Sequence, residues 1–159
     1  MQISKIIIGI DDSKYAEHAA RYGFNLARKF DAAVGLVHII EPVVTSLDTS
    51  DSILGMPMAN VASGPEEMEL VNAQEDNSTR LMNRVISEMA GDLQVSNFSE
   101  YGSTSEGILQ CSIEFKADLI VLGTHKRSGL ERLFSGSVAE AIIRKADIPV
   151  LVVPFEESH

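Results

Sequence analysis

The stretch "KIIIGIDDS", residues 5–13, decides the fold. A short, unbroken apolar run rich in isoleucine, with no polar alternation, is how a strand buried on both faces of a parallel sheet reads. A helix start comes directly after it. Ser13 stands as an N-cap before residues 14–30, where Ala16, Ala19, Ala20, Phe24, Ala27 and Phe30 recur at spacings of three and four. A strand covered on both faces needs further strands and helices, and the rest of the chain supplies them. "AVGLVHII" (33–40), "LIVLGT" (119–124) and "IPVLVV" (148–153) repeat the buried-strand pattern, while "VSNFSEY" (95–101) is more polar and alternates, as expected nearer a sheet edge. Helical patterns occupy 66–90, 105–116 and 137–146. The first of these has Pro65 at its first turn, Glu66 and Glu67 near the positive end of the dipole, and an inner stripe of Val71, Leu81, Met82, Val85, Ile86 and Met89.

The order β-α-β-α-β-α-β-α-β, joined by right-handed crossovers, gives an α/β fold: a five-stranded parallel sheet with helices on both faces. Ligands in such sheets bind at the carboxyl ends of the strands, near the point where the strand order reverses. Both "GIDDS" and "LGTHK" leave carboxyl ends. Residues 41–64 form a connection too long for an ordinary loop, so they read as a lid, a contact surface or a mobile insertion.

With 159 residues, 45% of them apolar and 23% charged, the expectation is one domain over 1–159. The apolar run at the start lacks the length and flanks of a signal peptide or membrane span, which predicts a cytoplasmic protein. The single cysteine, Cys111, fits a reducing compartment and reads as a buried thiol. A net charge of −10 argues against nucleic acid and anionic membranes as partners. The charge is uneven, however. No Lys or Arg lies between Lys29 and Arg80, whereas "HKRSGLER" (125–132) carries Lys126, Arg127 and Arg132. A small basic island in an acidic chain suits a small anion.

Paired acids after a first strand also mark phosphorylated receiver domains, but those need an Asp after the third strand and a Lys after the fifth. Here the third strand ends "SEYGS" and the fifth "VVPFEE". An N-type ATP pyrophosphatase loop would need paired glycines that "GIDDS" lacks. "GSTSEG" (102–107) resembles a Walker A loop only superficially, because the Lys and Ser/Thr that reach phosphate and Mg²⁺ are missing. It reads as a turn and a helix cap. If Asp12 and Ser13 cap the first helix, Asp11 is left at the strand end to accept hydrogen bonds from a ribose or an adenine amine.

The strongest local signal is "LGTHKRSGLERLFSGS" (122–137). Gly123 is expected to let the chain turn off the strand, Gly136 to allow close backbone approach, and Ser137 to open a helix whose free amides favour an anion.

"KIIIGIDDS", "GLVHII", "ADLIVLGTHKRSG" and "LFSGSVAEAIIRKADIPVLVVP", in that order along the whole chain, resemble the universal stress protein family. The resemblance implies an adenine nucleotide α-hydrolase-like fold, a Rossmann-type three-layer sandwich. It also implies a homodimer in which the last strands of two subunits pair, and a stress-response module. Its ATP-binding branch is similar to this chain in the Asp after the first strand and in a G-x2-G-x9-G-[S/T] signature. Carried over, Asp11 would contact ribose or adenine, and Ile10, Ile39 and Leu122 would line the adenine pocket, partly through backbone groups. Gly123, Gly136 and Ser137 would hold phosphates, with Val138 and Ala139 supplying amides. His125 matches a residue common in this loop.

The second glycine of the signature is Lys126 here. Where the backbone needs a positive φ, Lys is strained there and its side chain occupies phosphate space; where it does not, the ammonium neutralises phosphate. Two functions therefore stay open. One is an ATP or adenine-nucleotide binding module, with Mg²⁺ or Mn²⁺ bridging the phosphates. The other is a non-nucleotide branch acting through an unidentified protein partner. No general base, arginine finger or P-loop stands at a spacing that supports dedicated ATP cleavage, which leaves at most slow hydrolysis incidental to binding.

Overall fold

Ile6, Ile7 and Ile8 have no exposed surface, and the strand they form is the centre of the sheet. The computed structural model describes residues 2–42, 65–125 and 138–155. The elements run β1 (Lys5–Gly9), α1 (Lys14–Phe30), β2 (Ala33–Ile40), α2 (Pro65–Met89), β3 (Val95–Tyr101), α3 (Thr104–Phe115), β4 (Leu119–His125), α4 (Val138–Lys145) and β5 (Val150–Phe155). All pairings are parallel and the strand order is β3-β2-β1-β4-β5. The chain therefore winds outward from β1 to β3, then returns to place β4 against β1's other side. The order reverses between β1 and β4.

Alternate residues of the central strands face opposite layers, as the two-residue period requires. Ile6, Ile8, Val34, Leu36 and Val121 pack with Ala19, Ala20 and Phe24 of α1 and Leu81, Met82 and Val85 of α2. Ile7, Val37, Ile39, Ile120 and Leu122 pack with Ile108 and Cys111 of α3 and Ala139 and Ile142 of α4. The three-layer architecture is as expected, and β3 lies at an edge. Arg28 ties the first layer together by donating to the Met89 carbonyl at the end of α2.

Two expected core positions are not in the core. Phe30 ends α1 and is 44% exposed, and Val71 is 38% exposed. The reason for Val71 is length. α2 has 25 residues, and its continuous inner stripe begins only at Ser78, so the first half extends past the sheet it packs on.

At the amino end of the sheet, one carboxylate joins the two strands flanking the reversal. Asp118 accepts from the Ser4 amide at 2.8 Å, the Ser4 hydroxyl at 2.9 Å and the Lys5 amide at 2.9 Å. The Ser4 amide, followed by the Ser4 hydroxyl, holds the carboxyl below its ordinary value. A depressed folded value means stability that is present above the ordinary value of 3.8 and lost as pH falls through the folded one. Asp118→Ala should cost about 1 kcal/mol at neutral pH, since the group is largely solvated. Urea unfolding should show the gap to the parent protein closing below pH 3.8. A gap that persists in acid would show that the carboxylate charge is not what joins the strands.

Candidate functional site

The crevice at the carboxyl ends of β1 and β4 is built from the turn after β1. The Ile10 amide donates to the Val37 carbonyl at 2.8 Å, extending the pairing with β2 one residue past the strand. Asp11 then folds back, its Oδ1 accepting from the Ser13 amide at 2.8 Å. Ser13 caps α1, its Oγ accepting from the Ala16 amide at 3.1 Å. Ser13 is the cap expected. Among the described residues Asp12 makes no cap bond, and it is Asp11 that is engaged locally, with one carboxylate oxygen on the Ser13 amide.

Gly123 works differently from the expectation. It lies inside β4, which continues to His125 in register with β5, so the chain does not turn there. A Cβ at this position would stand 2.4 Å from the Tyr15 carbonyl oxygen and 3.0 Å from the Ala16 amide nitrogen. The glycine is needed because the first turn of α1 rests directly on β4. That contact fixes the Asp11–Ser13 turn relative to the strand beside it.

Of the expected pocket residues, Ile39, Leu122 and Ala139 share the α3–α4 side of the sheet and are buried. The Ile10 side chain belongs to the opposite, α1–α2 layer, so it can reach a ligand on the first side only through its backbone. Val138 opens α4 and is 39% exposed, with Ala139 beneath it. His125 closes β4, its backbone in register with Phe155. Lys126, Gly136 and Ser137 lie outside the described residues, as do residues 43–64. "GSTSEG" is a turn and helix start: Gly102 has φ 139°, the Gly102 amide donates to the Ile40 carbonyl at 3.1 Å, and Thr104 Oγ1 donates to Glu41 Oε1 at 2.6 Å. The β3–α3 turn is thus tied to the end of β2.

A polar chain near this end escapes sequence reasoning. His38 Nδ1 lies 2.8 Å from Ser78 Oγ, which lies 2.7 Å from Ser99 Oγ, linking β2, α2 and β3. Burial lowers the His38 pKa below 6.5, with Asp12 and then Asp11 pulling the other way. His38 is the one polar side chain of an apolar run, whereas Ser78 and Ser99 stand among other polar residues and nothing local marks them. Only the packing of α2 on β2 and β3 brings them together.

At this end the described residues offer a carboxylate at Asp11, apolar side chains on the α3–α4 face and the first turn of α4. The sequence profile described as the universal stress protein family matches residues 2–154. The chain belongs to that family. This universal stress protein is 33% identical over 151 residues to Universal stress protein MJ0531 of Methanocaldococcus jannaschii, covering 94% of this chain and 81% of that one. Hypothetical protein MJ0577, 24% identical, superposes with a TM-score of 0.75, covering 99% of this chain and 100% of that one. A universal stress protein from Archaeoglobus fulgidus solved in complex with dAMP, 19% identical, superposes with a TM-score of 0.59, covering 96% and 98% of the two chains. Among the described residues, no helix is long and apolar enough to cross a membrane.

Gly123→Ala tests how the site is held. Its methyl meets backbone on α1 and not a movable side-chain end, so it should cost about 1–3 kcal/mol. Thermal unfolding is the measurement, and an unchanged midpoint would mean that α1 does not bear on β4 at this point.

Proposed function

We propose that this universal stress protein is a binding module for ATP or a related adenine nucleotide, held at the carboxyl ends of β1 and β4. The observation that carries the reading is Asp11 at the strand-order reversal, one oxygen fixed by the Ser13 amide and the turn itself fixed by α1 against β4. The second oxygen would accept from a ribose hydroxyl or the adenine amine. Ile39 and Leu122 would cover the base on the α3–α4 side, and the amides at Val138 and Ala139 would receive phosphate, with Gly136 and Ser137 completing that end. The dAMP held by the Archaeoglobus fulgidus protein supports this ligand class. A divalent ion would bridge the phosphates and offset their charge when bound. Binding would act through assembly or a protein partner in the cytoplasm.

Lys126 favours a second reading, in which the phosphate end is closed and the protein acts through protein contacts alone. Calorimetric titration of ligand-stripped protein with ATP and Mg²⁺ separates the two. Saturable binding that falls at least tenfold in Asp11→Ala is the expected result. No binding by the parent protein, with binding gained in Lys126→Gly, would establish the closed site instead.

The module is a homodimer through β5 in this reading. Among the described residues β5 pairs on one side only, with β4, and its sequence is apolar, whereas β3 at the other edge is polar and mostly exposed. An apolar edge invites a partner strand, and Pro154 withholds just one of its amide donors. Sedimentation at micromolar concentration should give twice the 17.3 kDa chain mass, and a monomer would remove this part of the proposal.

A further inference from the structure

On the α1–α2 side, away from the expected phosphate end, a cleft of about 330 Å³ opens between the β1–α1 turn and α2. Asp12, Asn77, Arg80, Leu81 and Arg84 line it. Leu81 is buried and forms an apolar wall, while Arg80 and Arg84 stand one turn apart on α2 and reach into the same space. These are the first basic residues after Lys29, in a chain of net charge −10. Acids are near in sequence, with Asp76 four residues before Arg80 and Glu88 four after Arg84. Among the described residues, neither guanidinium closes on them or on Asp12, although α1 and α4 form the equivalent i,i+4 pairs Arg21–Glu17 and Arg144–Glu140. Two cations and one carboxylate therefore surround the cleft without neutralising one another across it.

We propose that this cleft is a second ligand site, for a phosphomonoester that carries a free hydroxyl. Two guanidiniums one helical turn apart present several N–H donors to a tetrahedral dianion, and guanidinium matches phosphate better than a point charge does. Asp12 on the facing wall accepts from the hydroxyl, and the Asn77 amide can donate to an ester or phosphate oxygen. A plain anion gains only from the arginine wall. A cation gains only from Asp12 and meets two like charges. A ligand with an anionic end and a hydroxyl a few bonds away satisfies both walls. Asp12 adjoins Asp11, so this site and the nucleotide crevice flank the same turn, but they share no proposed ligating side chain.

The probes are glycerol 3-phosphate and inorganic phosphate, added to the full chain and followed by the Nε–H resonances of arginine in ¹H–¹⁵N spectra. Saturable shifts at Arg80 and Arg84 with glycerol 3-phosphate, and at least tenfold weaker binding in Arg80→Gln/Arg84→Gln, are expected. Asp12→Asn should weaken glycerol 3-phosphate severalfold and leave inorganic phosphate no weaker. Both arginines are exposed, so the double variant should fold, which its unfolding midpoint checks. Shifts confined to other arginines, equal affinity in the double variant, or displacement of glycerol 3-phosphate by ATP would overturn the proposal. ATP binding that survives in the double variant, or is lacking in both proteins, bears on the nucleotide reading alone.

Discussion

The complete burial of β1 is the constraint on which the molecule depends. Three consecutive isoleucines without exposed surface cannot be covered by one layer, because neighbouring side chains leave opposite faces of the sheet. Helices must lie on both sides, and strands must flank both edges. Parallel neighbours then demand crossovers long enough to hold those helices. Burial of this strand also settles where its chemistry can appear. The backbone is paired with β2 from Lys5 to Gly9 and with β4 from Ile6 to Ile8, so beyond Lys5 polar side chains begin only where the strand ends, at Asp11.

Anchoring begins at that end. The Asp11–Ser13 turn is held internally by two side-chain-to-backbone hydrogen bonds and externally by α1 lying on β4 at Gly123. In the proposed nucleotide site a carboxylate so placed would need little reordering to receive a ligand, and pre-organisation of this kind lowers the entropy lost on binding. The same turn carries Asp12 on its other side. One short segment therefore presents a carboxylate to each side of the sheet, because successive residues leaving a strand point to opposite faces.

The two edges of the sheet are managed by different means. β3 is short of apolar surface and carries Glu100, so pairing with another chain there would bury charge. β5 offers Val150, Leu151 and Val152, all partly buried, with His18 and Tyr22 of α1 and Phe155 forming an aromatic group beside it. Apolar side chains thus make up most of one edge strand, and polar ones with the carboxylate of Glu100 most of the other.

Read alone, the sequence determined the order of elements, the parallel sheet, the two-sided cover, the edge character of β3 and the cap at Ser13. These come from local periodicity, from β-branched runs and from cap chemistry, all of which act within a few residues. It also singled out Asp11 at the strand end, while Ile39, Leu122 and Ala139 came from the family resemblance. Tertiary structure alone decided what lies far apart in the chain. Gly123 reads as a turn residue until Tyr15 is found against it, and Ile10 reads as a neighbour of Ile39 until the pleat turns it to the other layer. Val71 continues a helical stripe that the sheet is too short to cover. His38, Ser78 and Ser99 meet, and Asp12 faces Arg80 and Arg84, only because α2 crosses β2 and β3 at a particular depth. Periodicity sets which face of an element is apolar. Where two such faces come to rest against each other is set by the fit of their side chains, which no local pattern contains.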